Sequence, residues 1–224
     1  MKKTLVILAA TCLLIDLTHA QTTATTGTGG PSSIVGYQID GQGANSRVWQ
    51  KIVQTVNAKG RTTLQTNQAY VELATGLNHL VNGQWVGSKE EIVILPNGTA
   101  AATNGQHQAY LPGDIYNGEI ELVTPDGQQL YSRPMGLSYF DGTNSVLIAE
   151  LTNSIGVLTG NNQVIYPNAF TGFAADVRYT YTKAGFEQDI ILLEQPPTPE
   201  SFGLNPATTR LQVLTEFFNP PQPV

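Results

Sequence analysis

Seven Asn-Gly or Asp-Gly dipeptides punctuate this chain: Asp40-Gly41, Asn82-Gly83, Asn97-Gly98, Asn104-Gly105, Asn117-Gly118, Asp126-Gly127 and Asp141-Gly142. These residues tolerate the positive φ angles of tight hairpin turns, and short apolar or alternating runs lie between them. The segment from Ile34 to about Leu193 therefore reads as antiparallel β-structure. Its clearest hairpin alternates Val177, Tyr179 and Tyr181 with Arg178, Thr180 and Thr182, turns at Lys183-Ala184-Gly185 and returns from Phe186 to Leu193. Glu119 to Thr124 and Gln128 to Ser132 flank Pro125-Asp126-Gly127 in the same way. Ser145 to Thr152 is apolar enough to predict a strand covered on both faces. Ser46 to Val56 sets Val48, Trp49, Ile52, Val53 and Val56 at helical spacing, with Ser46 available as a cap. Its β-branched content and the Asn57-Ala58-Lys59-Gly60 turn behind it favour a strand. The expected fold is an all-β antiparallel sandwich over 34–195, in one or two sub-lobes that divide near 96–105.

The two ends differ from this body. Lys2-Lys3, the apolar run Leu5 to Ile15 and the small residues of Thr18-His19-Ala20 compose a signal peptide over 1–20, cleaved before Gln21. Cys12 fits a lipidation site poorly, because Thr11 is bulkier than the Gly or Ala that position usually carries. No later run approaches the roughly twenty apolar residues of a membrane span. The expected location is secreted, periplasmic or at the cell surface. Residues 21–33 form a flexible Thr/Gly-rich lead-in. Seven of the thirteen prolines lie between Pro196 and Val224. Gln195-Pro196-Pro197-Thr198-Pro199 reads as an extended strut opening the Pro-rich segment 196–224, and Arg210 to Phe218 reads as a last strand. The final Pro run is either a linker or a ragged natural C-terminus.

Signal removal takes away two lysines and one aspartate, leaving nine Lys and Arg against sixteen Asp and Glu, a net charge of −7. With the basic residues scattered, nucleic acid is excluded as a partner. The single Cys leaves with the signal, so disulfides, thiolate zinc sites and a cysteine nucleophile go with it. His79 and His107 read as surface residues, and no G-x-S-x-G nucleophile signature accompanies them. Glycoside cleavage needs two carboxylates, for which Glu119, Glu121, Glu150, Asp176, Glu187 and Asp189 are the strand candidates. Glu119 and Glu121 alternate with Ile120 and Leu122, the pattern of a solvated strand face. Asp141-Gly142-Thr143-Asn144 lacks the spaced acidic ligands of a calcium loop, and neither a metal nor a cofactor is expected. Trp49, Trp85, Tyr116 and Tyr139, together with Tyr131, are the candidates for a sugar-binding face, with core packing as the competing use of the same rings.

Three phrases carry a resemblance: Leu95-Pro-Asn-Gly-Thr-Ala-Ala101, Gly172-Phe-Ala-Ala-Asp-Val-Arg-Tyr179 and Gly185-Phe-Glu-Gln-Asp189. They resemble an uncharacterised, β-rich N-terminal region of large bacterial secreted and surface proteins. The resemblance implies a module of an exported bacterial polypeptide and brings no functional residues. The expected function is a non-catalytic structural or binding module, with a glycan or another protein outside the cytoplasm as partner. Its rivals are a carbohydrate-active enzyme or glycan-binding domain that uses strand carboxylates and aromatic rings, and a periplasmic accessory protein that binds another polypeptide by strand addition.

Overall fold

A computed structural model describes residues 32–221, so the expected signal peptide, Cys12, most of the expected lead-in and the last three residues lie outside the described part. The protein is all-β, with 57% strand and 2% helix. Its strands are β1 (Ser32–Gly43), β2 (Ser46–Val56), β3 (Thr62–Leu73), β4 (Asn78–Val81), β5 (Gln84–Gly87), β6 (Val93–Ile94), β7 (Ala100–Ala102), β8 (Gln108–Leu111), β9 (Ile120–Val123) and β10 (Gln129–Phe140). They continue with β11 (Ser145–Glu150), β12 (Val157–Thr159), β13 (Gln163–Tyr166), β14 (Ala175–Tyr181), β15 (Phe186–Leu192) and β16 (Arg210–Phe218). Ser46–Val56 is a strand, as its β-branched residues favour over its helical spacing.

Contacts divide the chain into two units. The described part of the first comprises 32–38 and 51–67, which contribute segments of β1, β2 and β3, strands hydrogen-bonded in that order. Here Asn57 closes the turn after β2, its side chain accepting from the amides of Lys59 and Arg61, both at 2.9 Å.

The second unit, 39–50 with 68–221, holds the sandwich. One layer is a seven-stranded sheet in the order β11-β10-β9-β8-β7-β6, with β16 also paired to β10; the other is β12-β13-β14-β15. Both line one hydrophobic core. Strand β14 alternates strictly, burying Ala175, Val177, Tyr179 and Tyr181 and leaving Asp176, Arg178 and Thr180 half-buried. Alanines 100, 102 and 109 supply the small side chains of the same core, the volume complement that large rings require. Each buried phenol is satisfied. Tyr166 donates to Pro112 O at 2.6 Å, Tyr179 to Gln188 Oε1 at 2.8 Å and Tyr181 to His107 O at 2.8 Å. Leaving such an acceptor unpaired costs about 1–3 kcal/mol, so these bonds fix a unique packing. Burial pushes all three hydroxyls up, Tyr181 to about 12, and the Glu90 charge adds to the rise at Tyr181.

Four expectations change. Asp40-Gly41 lies inside β1, and the chain reverses instead at Ala44-Asn45. Ser145–Glu150 is the outermost strand of its sheet, so Leu147 stays 45% exposed and the strand is not covered on both faces. The segment 96–105, expected to separate sub-lobes, carries the turns that join β6, β7 and β8 in one sheet. Finally, β16 runs along β10 from Tyr131↔Phe218 to Phe140↔Arg210, so the last strand belongs to the sandwich body. Its register shifts between Pro134 and Gly136, where the proline has no N–H to give the ladder.

Candidate functional site

The cleft that combines an indole with hydrogen-bonding side chains is built from three turns of the second unit. The β4–β5 hairpin turns on Asn82 (φ 51°) and Gly83 (φ 77°), the two positive φ values that a two-residue hairpin of matching twist demands. It places His79, Asn82 and Trp85 on one wall. The β7–β8 connection brings Thr103, Asn104, Gly105 and Gln106, and the β9–β10 turn closes the third side with Thr124, Pro125 and Gly127. The open cleft has a volume of about 620 Å³, within the usual range for small-molecule sites.

Hydrogen bonds hold these walls together. Gln106 Nε2 donates to Ala44 O at 2.7 Å, Asn78 O at 2.9 Å and Asn45 Oδ1 at 3.1 Å. Asn78, fully buried, donates to Gly43 O and Ser46 O and accepts from Arg47 Nε at 2.9 Å. Asn104 Nδ2 donates to Glu91 Oε1 at 2.7 Å, and its carbonyl accepts from the Lys89 amide at 2.8 Å. Gly105 has an ordinary φ and is required for another reason: a methyl there would run into Tyr181 Oη.

Neither histidine is a surface residue. His79 is 8% exposed, and its Nδ1 is buried with no hydrogen-bond partner among the described residues. His107 packs its ring 4.8 Å from that of Tyr181, and its Nε2 is likewise buried and unpartnered. Burial lowers the His107 pKa, partly opposed by a hydrogen bond with the Gly185 backbone. A buried nitrogen without a partner is an exception among native polar groups, and His79 lines the cleft.

The four aromatic candidates do not share a face. Trp49 stacks on Tyr70 at 6.0 Å and donates to Glu72 Oε2 at 2.9 Å. Tyr139, expected as a binding ring, is 7% exposed; it donates to Pro197 O at 2.8 Å and meets Phe202 edge-on, so it presents no surface to a solute. Tyr116 is 48% exposed and lines a different cleft of about 610 Å³ with Met135, Leu147 and Leu214. Only Trp85 stands in the first cleft.

The carboxylates are scattered too. Glu119 and Glu121 line a second cleft of about 590 Å³ with Tyr110, Tyr131 and Arg133. Glu121 Oε1 accepts from Gln129 at 2.7 Å and from Tyr131 at 3.1 Å. Burial, that bond and the charges of Glu121 and Glu119 raise the Tyr131 hydroxyl. Glu150 lines the third cleft. Asp189 is bound by Arg178 at 2.8 Å, and Asp176 accepts from the Asn168 amide. Asp141 caps its own turn by accepting from the amides of Thr143 and Asn144. Among the described residues no three His, Cys, Asp or Glu gather as a metal would need, and no helix is long and apolar enough to cross a membrane.

Set against family models, curated proteins and solved structures, the chain gives no significant match.

Proposed function

We propose that this chain is a non-catalytic binding module of an exported bacterial protein, holding a neutral polar ligand in the cleft between His79, Trp85 and Gln106. The signal-like segment over 1–20 and the resemblance to secreted bacterial N-terminal regions support export. One observation carries the binding reading: among the described residues the cleft wall contains an indole, several amides and two threonine hydroxyls, yet no Asp, Glu, Lys or Arg. Such a wall recognises shape and hydrogen bonds, without the electrostatic attraction that selects ions. It also gives His79 no carboxylate with which to form a triad.

The enzymatic reading has its own observation, the Glu119 and Glu121 pair beside Tyr131. Glu121 is tied down as an acceptor there, which favours a structural use. Melting of the exported chain, measured against neutral and charged solutes, tests the proposal. A ligand at a hundred times its dissociation constant adds about 2.7 kcal/mol and raises the midpoint by several degrees. A neutral solute should do this and Trp85→Ala should remove the shift. Hydrolysis of an oligosaccharide that stops in Glu119→Gln or Glu121→Gln would replace the binding reading with the enzymatic one.

A further inference from the structure

Resting on that reading of the cleft, we infer that its ligand is a neutral saccharide, seated with one pyranose ring against the indole of Trp85. A pyranose has an apolar C–H face and a rim of hydroxyls that both donate and accept. The cleft offers the complement. Trp85 is half-buried in β5 opposite Leu80, which fixes its backbone, and Gln42 Nε2 donates to its carbonyl at 2.9 Å. The ring is a flat apolar surface on a rigid hairpin, the low-entropy platform that aromatic recognition uses.

Around it stand groups that donate and accept without charge. The amide of Asn82 sits at the hairpin tip and the Thr103 hydroxyl on a facing turn, while the Thr124 hydroxyl is already engaged, donating to Asp126 Oδ1 and accepting from the Gln128 amide. Asn104 and Gln106 already spend their amino groups on Glu91 and on the Ala44 and Asn78 carbonyls and the Asn45 side chain, so they are held in place before any ligand arrives. An extended peptide is a poorer fit, because it is held chiefly by main-chain bonds to a free strand edge, whereas this wall is made of turns and side chains. An anionic sugar finds no cation among the described residues of the lining.

The sequence contains two tryptophans, so Trp49→Phe leaves Trp85 as the sole indole reporter. The exported Trp49→Phe chain would be titrated with maltohexaose, cellohexaose, xylohexaose and N-acetylchitotetraose, with oligogalacturonate and N-acetyl-trialanine amide as separate arms. Saturation-transfer NMR and calorimetry on the unsubstituted chain would give affinities independent of fluorescence. A saturable change in Trp85 emission with a neutral saccharide is expected, with the dissociation constant raised at least about tenfold by Trp85→Ala and kept by Tyr131→Phe. Trp85→Phe retains a ring and should fall between the two, which separates lost stacking from a collapsed hairpin. Response to the peptide amide alone overturns the saccharide and leaves the binding cleft standing. Equal response to oligogalacturonate overturns the neutral selectivity, and saccharide binding untouched by Trp85→Ala overturns the site. Silence in every arm overturns both the saccharide and the binding module.

Discussion

Gly105→Ala probes the join between the cleft and the core. A methyl added there would lie well inside van der Waals contact of Tyr181 Oη, with Tyr181 Cζ at 3.2 Å and His107 O at 3.3 Å. Gly105 needs no left-handed backbone, so the whole cost comes from that encounter. Tyr181 is fully buried and donates to His107 O, so it has nowhere to retreat without losing its bond. Overpacking of this kind costs about 1–3 kcal/mol. Tyr181→Phe alone strands the His107 carbonyl, also about 1–3 kcal/mol. The two changes together should cost little more than Tyr181→Phe alone, because deleting Oη vacates the space the methyl needs. The remaining contacts, at 3.2 and 3.3 Å, yield to shifts of a few tenths of an ångström. The double-mutant cycle should therefore show a favourable coupling of about 1–3 kcal/mol. Urea unfolding followed by far-UV circular dichroism, with m-values unchanged across the four proteins, measures it. Additivity within about 0.5 kcal/mol would refute the reasoning.

Asp114 predicts an acid limb in stability. Burial alone would raise its carboxyl, but bonds from Asn153, the Tyr116 amide, Asn117 and the Ser154 amide outweigh that and hold it below the ordinary carboxylate value. With the folded pKa below the unfolded value of about 3.9, its contribution is complete above that pH and lost as pH falls through the folded pKa. Asp114→Asn should flatten the fall in melting temperature below pH 4, and an unchanged acid limb would count against the role. With no metal-like group of side chains among the described residues, EDTA and millimolar calcium should give the same melting temperature; a calcium shift of several degrees would overturn this. Intact-mass analysis of exported protein should place Gln21 at the N-terminus, and retention of residues 1–20 or lipid on Cys12 would refute that processing.

The turn dipeptides show how far local chemistry reaches. At Asn82-Gly83, Asn97-Gly98, Asp126-Gly127 and Asp141-Gly142 the glycine has positive φ and a hairpin turns there. At Asn104-Gly105 and Asn117-Gly118 the glycine is needed for space, against Tyr181 and Pro112, while Gly41 continues a strand. The same dipeptide thus answers two demands, positive φ and close approach, and only the tertiary neighbours say which. Strand alternation was equally legible at β14, where every second residue is buried, and the bounds of β16 match Arg210 to Phe218. It misled at Ser145 to Thr152, because apolarity alone does not reveal that a strand lies at the margin of its sheet with Leu147 turned to solvent.

The cleft was less legible than the fold, for a reason that lies in its chemistry. Charged sites announce themselves through pairs and spacings, since carboxylates and imidazoles are few in this chain. An uncharged wall is made from Asn, Gln, Thr and Trp, which are common in β-hairpins for reasons of turn geometry and half-burial. Trp85 could be singled out by its size, but its partners come from 103–108 and 123–127, joined to it through contacts such as Gln106 to Asn78 that no local pattern encodes. His79 shows the same limit. Between polar Asn78 and the Asn82-Gly83 turn it looks solvent-facing, yet the imidazole is 8% exposed in the fold. The wall of the proposed binding cleft is therefore a product of three turns converging, each dictated by its own local sequence and none carrying the chemistry alone.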